Sequence, residues 1–398
     1  MPELPEVETI AHDLRGLVGG ARIVAARSNW PPTLRSHEAA AFSDAVAGRR
    51  IEGVGRRGKQ LLIWLSPREG AGDGSAYAPG VLTVHLKMTG QLFVVPAETT
   101  QDRHVHLVLA LADGREIRFR DIRKFGRVGL YRRDDVTGLP VEGEADGVLA
   151  GGAEPLAADF TASRFASMLA GRRGRLKSLL LNQDFLAGVG NIYADESLWR
   201  ARLHPLRDAR TLKPAEARRL HEALRGVLAE AVERRGSSVD DYTAPEGDGS
   251  MQEHLAVYQR AGEPCLRCGR PIRRIVVGGR ATHFCGWCQR LPGPRHGSSA
   301  SQEDRHGPNR RPGRGPRWTE LSGVGALGRT AAEEAAVAAR NEARWSRVAR
   351  TRAAAATRRA AARAGAASEP LLGRPDEFSE GAIGGTPAES SATTRGAG

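Results

Sequence analysis

Only four of the 398 residues are cysteine, and they fall in two C-x2-C pairs, Cys265/Cys268 and Cys285/Cys288. So few and so grouped, they exclude a disulfide-stapled scaffold and read as metal ligands in a reducing compartment. No apolar run approaches the ~18 residues of a membrane span. The start, Met1-Pro2-Glu3-Leu4-Pro5-Glu6, is acidic where a secretory signal would be basic and then apolar. A cytoplasmic protein with no membrane partner is the expectation. Apolar residues make up 40%, below the usual ~45–50%, a range that also counts glycine. Part of the chain is therefore expected to stay unfolded, and the rest to form two or three domains.

Positive charge, by contrast, is plentiful. Lys+Arg number 59 against 46 Asp+Glu, a net +13. Such an excess suits a polyanion, of which DNA is the commonest, although an arginine-rich coding bias would leave the same mark. From Arg295 to Gly398 there are 17 arginines and 11 acidic residues, a net +6, so the preceding residues carry +7. The body is basic without help from the tail. After about Leu291, Gly, Pro, Ser, Ala and Arg dominate, the composition of a disordered tail. Within it Ala331 to Ala366 has helical propensity but little except alanine to bury.

A first helix is signalled at once. Pro5 suits a first helical position, and Glu6 and Glu8 put negative charge where the helix dipole favours it. Val7, Ile10, Leu14, Leu17 and Val18 recur at helical spacing, and Gly19-Gly20 stops the run. Short apolar or alternating runs follow at 60–65, 81–86, 106–111 and 116–119, separated by Gly-rich or Asp-Gly turns, which suggests a sandwich or barrel. A Gly/Glu/Ala-rich linker runs from about Asp134 to Ala158. Helical periodicity returns from Phe160 to about Arg235, broken at 171–174, 188–190 and His204-Pro205.

Several residues could carry chemistry. If Met1 is removed, Pro2 becomes a secondary amine, partly neutral at cellular pH because an α-amino group has a pKa near ~7.7–8.0. Attack on a sugar's anomeric carbon would give an iminium with no N–H to lose, a fixed electron sink that promotes elimination of a β-linked phosphate. Glu3 is placed for proton transfer. An ordinary capped helix start would use the same residues. Gly55-Arg56-Arg57-Gly58-Lys59 reads as a turn that suits a phosphate, since glycine lets the backbone approach and lysine supplies a point charge. Asn191, after Gly188-Val189-Gly190, is an N-cap candidate, and a helix N-terminus with free N–H groups can bind phosphate. The Cys265-x2-Cys268-x16-Cys285-x2-Cys288 spacing can supply four thiolates to one structural Zn²⁺, with no open position for catalysis. His104 and His106, two apart on a strand, lack an acidic or Cys partner and read as structural.

Taken together, Met1-Pro2-Glu3-Leu4-Pro5-Glu6-Val7-Glu8-Thr9 and the motifs after it resemble the formamidopyrimidine-DNA glycosylases. Those motifs are the glycine-lysine turn at Lys59, His85-Leu86-Lys87-Met88-Thr89-Gly90, Asp121-Ile122-Arg123-Lys124-Phe125-Gly126, Gly190-Asn191-Ile192-Tyr193 and the cysteine pairs. They occur in the family's order, to about Arg290. The resemblance implies an α+β chain, with an N-terminal β-sandwich and added first helix over 1–134 and a linker over 135–158. A helix–two-turn–helix domain with a lesion-recognition loop over 159–264 and a zinc-ribbon hairpin over 265–290 would follow, ahead of the disordered basic tail over 291–398 that composition suggests. It implies a bifunctional glycosylase and abasic-site lyase acting as a monomer on double-stranded DNA with oxidised purines. Pro2 would be the nucleophile, Glu3 the general acid/base, Lys59 an active-site phosphate contact, and Glu6 a support. Met88, Arg123 and Phe125 would fill the gap left by an extruded nucleotide, and Asn191, Tyr193 and Arg280 would also meet DNA. Three departures stand out: Ile122 where the family usually has proline, Asn182 where it has aspartate, and Gln259 where glycine is common. The stretch Ser237 to Tyr242, in the loop from Gly236 to Tyr258, follows the pattern only loosely. An endonuclease VIII-like enzyme for oxidised pyrimidines and a non-catalytic damaged-DNA binder are the alternatives.

Overall fold

In a computed structural model the described residues are 1–68, 78–237 except 142, 146 and 150, and 249–292. The tail expectation, the alanine-rich stretch and most of the recognition loop lie outside them.

The first helix, α1 (Leu4–Val18), forms as the periodicity requires, with a proline in its first turn and its end at Gly19. Two four-stranded antiparallel sheets follow. One has the order β1 (Ile23–Ser28), β6 (Val105–Leu111), β7 (Arg115–Asp121), β5 (Gly90–Pro96); the other runs β2 (Ile51–Arg57), β3 (Gln60–Leu65), β4 (Gly80–His85), β8 (Arg127–Arg132). Their facing sides supply a core that includes Ile63, Leu82, Leu92, Leu109, Ile117 and Phe119. This is a β-sandwich, and a short helix α2 (Ala39–Val46) packs Phe42 and Val46 into it.

The Gly55–Lys59 turn is shorter than its sequence suggests. Gly55, Arg56 and Arg57 belong to β2, and only Gly58 and Lys59 turn. Gly53 and Gly55 serve close packing instead: a Cβ on Gly55 would lie 2.6 Å from the ring of Trp64 on the neighbouring strand. His106 is structural, its Nε2 at 2.8 Å from the Asp121 carbonyl, and His104 precedes β6.

The second half is helical: α3 (Ala162–Leu169), α4 (Leu176–Leu181), α5 (Asn191–Arg200) and α6 (Pro214–Glu233) enclose their own core. A hairpin of β9 (Arg273–Val277) and β10 (Arg280–Phe284) completes it, with Gly278 and Gly279 both at positive φ (58° and 73°), as a two-residue hairpin turn demands. Helix α1 joins the halves. Val7, Ile10, Ala11 and Leu14 enter the sandwich core, whereas Leu4 is buried in the helical core. Asp13 and Arg235 add a bidentate pair at 3.0 and 2.5 Å between α1 and the end of α6.

Candidate active site and DNA-binding surface

The chain start is pinned by the turn between α4 and α5. Leu4 donates its N–H to the Gly188 carbonyl at 3.0 Å and is fully buried, which is worth about 1.5–3 kcal/mol for a leucine. Gly188 has φ 89°, and a Cβ there would strike Leu4 at 2.7 Å. Glu3 then turns its carboxylate onto the first turn of α5, accepting from the N–H groups of Gly190 (2.8 Å), Ile192 (3.0 Å) and Tyr193 (3.4 Å). A Cβ on Gly190 would sit 2.3 Å from the Glu3 carboxyl carbon, so the position must be glycine.

This arrangement corrects two expectations. The N-cap of α5 is Gly190, not Asn191, and the cap is a carboxylate from another part of the chain. The N–H groups of Gly190, Ile192 and Tyr193 are consequently spent on Glu3 and are not free for phosphate. Asn191 reaches the zinc hairpin instead, its Nδ2 donating to the Ala281 carbonyl at 2.9 Å, while its buried Oδ1 has no hydrogen-bond partner among the described residues.

Electrostatics around Glu3 favour a proton. Burial raises its pKa, against the lowering influence of Lys59, and the Glu6 charge adds to the rise while the Ile192 and Tyr193 N–H groups oppose it. Burial likewise lowers the pKa of Lys59, opposed by Glu3 and Glu6 and helped by Arg280. Glu6 lies beneath. Its carboxylate accepts from the Glu3 N–H at 2.8 Å, the Ser237 N–H at 2.8 Å and the Tyr193 hydroxyl at 2.5 Å. Tyr193, expected to touch DNA, is fully buried. Its side chain braces Glu6 and cannot reach a duplex.

Pro2, Glu3, Glu6, Lys59, Met88, Asn191 and Arg280 all line one open cavity of about 680 Å³. Lys59 is placed there by the β2–β3 turn, which Glu154 ties down by accepting from the Gly58 N–H and from Arg56. Arg280 follows the β9–β10 turn and is exposed. Met88 and Phe125 are also exposed, with the Arg123 guanidinium 5.2 Å from the Phe125 ring centroid. Their two loops are adjacent because β5 pairs with β7, Gly90 opposite Asp121. The Asp121 carboxylate accepts from the Thr89 hydroxyl (2.5 Å), the Arg123 N–H (3.2 Å) and the Gly126 N–H (2.7 Å). That network holds the loop without a proline at Ile122. Asn182 caps the end of α4 and accepts from the Asp184 N–H at 2.9 Å, and Gln259 adopts φ 59°, the left-handed conformation glycine takes more easily.

The sequence reading gave no role to Gln60, His85, Lys87, Ser237 and Tyr258, which share the cavity wall, and did not single out the supports behind it. Lys177 on α4 and Asp195 on α5 form a fully buried ion pair; Asp195 also accepts from the His283 N–H of β10 at 2.9 Å. Glu196, also buried, accepts from the N–H groups of Ala256, Val257 and Tyr258 at 2.8–2.9 Å. A lysine in a helical run and an Asp-Glu pair on the next helix look like surface charge until the helices meet.

The Sγ atoms of Cys265, Cys268, Cys285 and Cys288 lie within 4.8 Å of one another. Four thiolates around Zn²⁺ at ~2.3 Å would be about 3.8 Å apart, so the donor set fits one structural zinc with all positions filled.

Three family descriptions match in order: formamidopyrimidine-DNA glycosylase N-terminal domain over residues 1–128, its H2TH domain over 152–243, and the zinc finger found in FPG and IleRS over 262–291. The formamidopyrimidine-DNA glycosylase of Herpetosiphon aurantiacus is 46% identical over 291 residues, covering 73% of this chain and all of that protein. The chain belongs to the formamidopyrimidine-DNA glycosylase family. Among solved structures, a Lactococcus lactis FPG variant in complex with Fapy-dG-containing DNA is 34% identical, with a TM-score of 0.63 over 73% of this chain and 100% of that one. The MutM (FPG) protein of Thermus thermophilus is 45% identical, with a TM-score of 0.60 over 72% and 98%. As a member of this glycosylase family the chain carries the family's zinc finger on its four cysteines. Among the described residues no helix is long and apolar enough to cross a membrane.

Proposed function

We propose that this chain is a base-excision-repair DNA glycosylase that removes oxidised purines, 8-oxoguanine and formamidopyrimidines, and then cleaves the abasic strand with Pro2 as nucleophile. One observation carries the reading: Pro2 and a buried Glu3 are held at one cavity with Lys59, the chain start being anchored there by Leu4 on Gly188.

With Met1 removed, the Pro2 amine faces the cavity. It bonds to C1′ of the damaged nucleotide as the C1′–base bond breaks and the base leaves with the electron pair and a proton. Protonation of the ring oxygen opens the sugar, and the proline nitrogen becomes an iminium. Glu3 is the proton donor for this stage, because burial keeps its carboxyl protonated above the ordinary carboxylate range. Loss of a C2′ proton expels the 3′-phosphate, a second elimination expels the 5′-phosphate, and water releases the sugar remnant from proline. Lys59 and Arg280 hold phosphates beside the lesion, and Asn191 sets the hairpin that carries Arg280. Met88, Arg123 and Phe125 enter the duplex and offset the few kcal/mol that base extrusion costs. Tyr193 and Glu6 brace Glu3 from below. The four cysteines with their zinc fold the hairpin and take no part in a chemical step. The substrate places the protein on the bacterial nucleoid, in the cytoplasm.

The test uses duplexes with 8-oxoguanine, an oxidised pyrimidine or a preformed abasic site, with borohydride present. Faster excision of 8-oxoguanine and a reduced covalent adduct are expected. Preference for the pyrimidine would favour an endonuclease VIII-like reading, and no adduct from processed protein would leave only a DNA binder.

A further inference from the structure

The helix whose first turn holds Glu3, α5, ends at the cysteine cluster. Trp199, in its last turn, packs against the small core of Val257, Cys265, Ile272 and Cys285. The indole Nε1–H donates to the Cys265 Sγ at 3.5 Å. Cys265 and Cys285 each also meet backbone N–H groups of their own loops, those of Arg267 and Cys268 for the first and of Trp287 and Cys288 for the second. Trp199 differs from these, because it comes to the sulfur from another element of the fold.

An indole nitrogen donates and does not accept, so the sulfur is its acceptor. The demand for such donors is large. Zn²⁺ with four thiolates carries two net negative charges, and two of the four sulfurs belong to buried residues, Cys265 and Cys285. Negative charge taken out of water costs free energy unless hydrogen bonds or cations meet it. Cys268 and Cys288 are partly exposed, so water answers part of their charge. At Cys265 the cation is Arg267. Its guanidinium carbon stands 4.0 Å from the Trp199 ring centroid, and its Nη1 donates to the Trp199 carbonyl at 3.0 Å. That carbonyl lies at the end of α5, where the helix dipole favours positive charge. The two contacts together fix the plane of the indole, and with it the direction of the N–H.

We propose that Trp199 is part of the zinc site without being a ligand: its N–H holds the Cys265 thiolate for the metal, Arg267 locks the ring, and the bond docks the zinc hairpin on α5. The inference needs the zinc and not any particular lesion, so it stands apart from the glycosylase reading. A ring that only covered the hairpin core would fill the same space without needing its nitrogen. That difference can be measured.

The experiment compares full-length, zinc-loaded protein with Trp199→Phe, which keeps an aromatic ring and loses the N–H, and with Arg267→Met, which keeps an apolar stem and loses the cation. Transfer of zinc to a chromophoric chelator should show retention weakened by about 10-fold or more in Trp199→Phe, within the ~10–100-fold that hydrogen-bond partners of metal ligands typically contribute, and by less in Arg267→Met. Replacing zinc with Co²⁺ then reads the sulfur directly. A thiolate without its hydrogen bond gives up electron density more easily, so the thiolate-to-cobalt charge-transfer band should move to longer wavelength in both variants, further in Trp199→Phe. Lost packing can loosen the metal, but it does not strip a hydrogen bond from the sulfur. Arg267 is partly exposed, so its variant decides the question if Trp199→Phe does not fold. A band at the parental position in the folded, cobalt-loaded variants overturns the proposal, whatever their zinc affinity. Zinc retention by Trp199→Phe equal to that of the parent overturns it too.

Discussion

Replacing Gly190 by alanine attacks the site without removing any functional group. The added Cβ would stand 2.3 Å from the Glu3 carboxyl carbon, 2.4 Å from Oε1 and 2.8 Å from Cγ, and nothing there is a flexible side-chain end free to swing away. Glu3 is clamped by the Gly190, Ile192 and Tyr193 N–H groups, and Leu4 beside it by Gly188. Either the carboxylate leaves the α5 terminus or the helix shifts. Overpacking of a close-fitted interior costs typically ~1–3 kcal/mol, and a displaced Glu3 would strand buried N–H donors at about 1–3 kcal/mol each. A loss of about 2–4 kcal/mol in urea denaturation is the expectation. Loss of a positioned general acid should slow base excision by about 10²–10⁴-fold. The assay is single-turnover excision from an 8-oxoguanine duplex, with trapping on a preformed abasic site run in parallel, because the second bypasses base departure. Excision should fall much further than trapping. Parental excision by Gly190→Ala would refute the clamp as the source of Glu3's role.

The raised pKa of Glu3 has a pH signature. Its protonated form persists above the ordinary carboxylate value of 4.5 and is lost as pH climbs through the folded-state value, so excision should decline on that limb, and Glu3→Gln should flatten it. Because the folded state holds that proton more tightly than the unfolded chain, this group's stabilising contribution is full below pH 4.5 and fades as pH rises through the folded value; Glu3→Gln should remove that dependence from stability curves as well. Breaking the buried Lys177–Asp195 pair with Lys177→Met should cost about 3–5 kcal/mol, because Asp195 is left charged and buried, and adding Asp195→Leu should recover much of it; a cost below 1 kcal/mol in the single variant would contradict a buried pair. Chelating the zinc removes a contribution on the order of 10 kcal/mol from the hairpin. DNA affinity should then fall, since Arg280 and the Asn191–Ala281 bond ride on it, while the sandwich keeps its far-ultraviolet signal; unchanged affinity without metal would argue against the hairpin as a DNA contact.

What could be read from the chain beforehand follows a physical line. Helix α1 and strands β3, β4, β6 and β7 are local patterns, apolar residues at helical or strand spacing, and they stand where those patterns put them. The four cysteines were legible because metal geometry reduces to sequence spacing. Strand β2 was partly hidden, since Gly53 and Gly55 look like turn residues until Trp64 is known to lie across them. Strands β5 and β8 and helix α2 carried too little contrast against the surrounding glycine, arginine and alanine. At the site, Glu3 and Lys59 could be named from their motifs, yet the cap of α5 could not, because the carboxylate that accepts its N–H bonds lies nearly two hundred positions away. Tyr193 was placed on the DNA side for the same reason, since only the tertiary fold brings Glu6 to its hydroxyl; Asn191 does line the cavity, while its Nδ2 holds the Ala281 carbonyl.

The most direct measurement is peptide mapping of the borohydride-reduced protein–DNA adduct by mass spectrometry. The account predicts an N-terminal peptide that begins at proline, lacks Met1 and carries the sugar remnant on its first nitrogen. A remnant found on Lys59, or an active enzyme that still bears Met1, would contradict it.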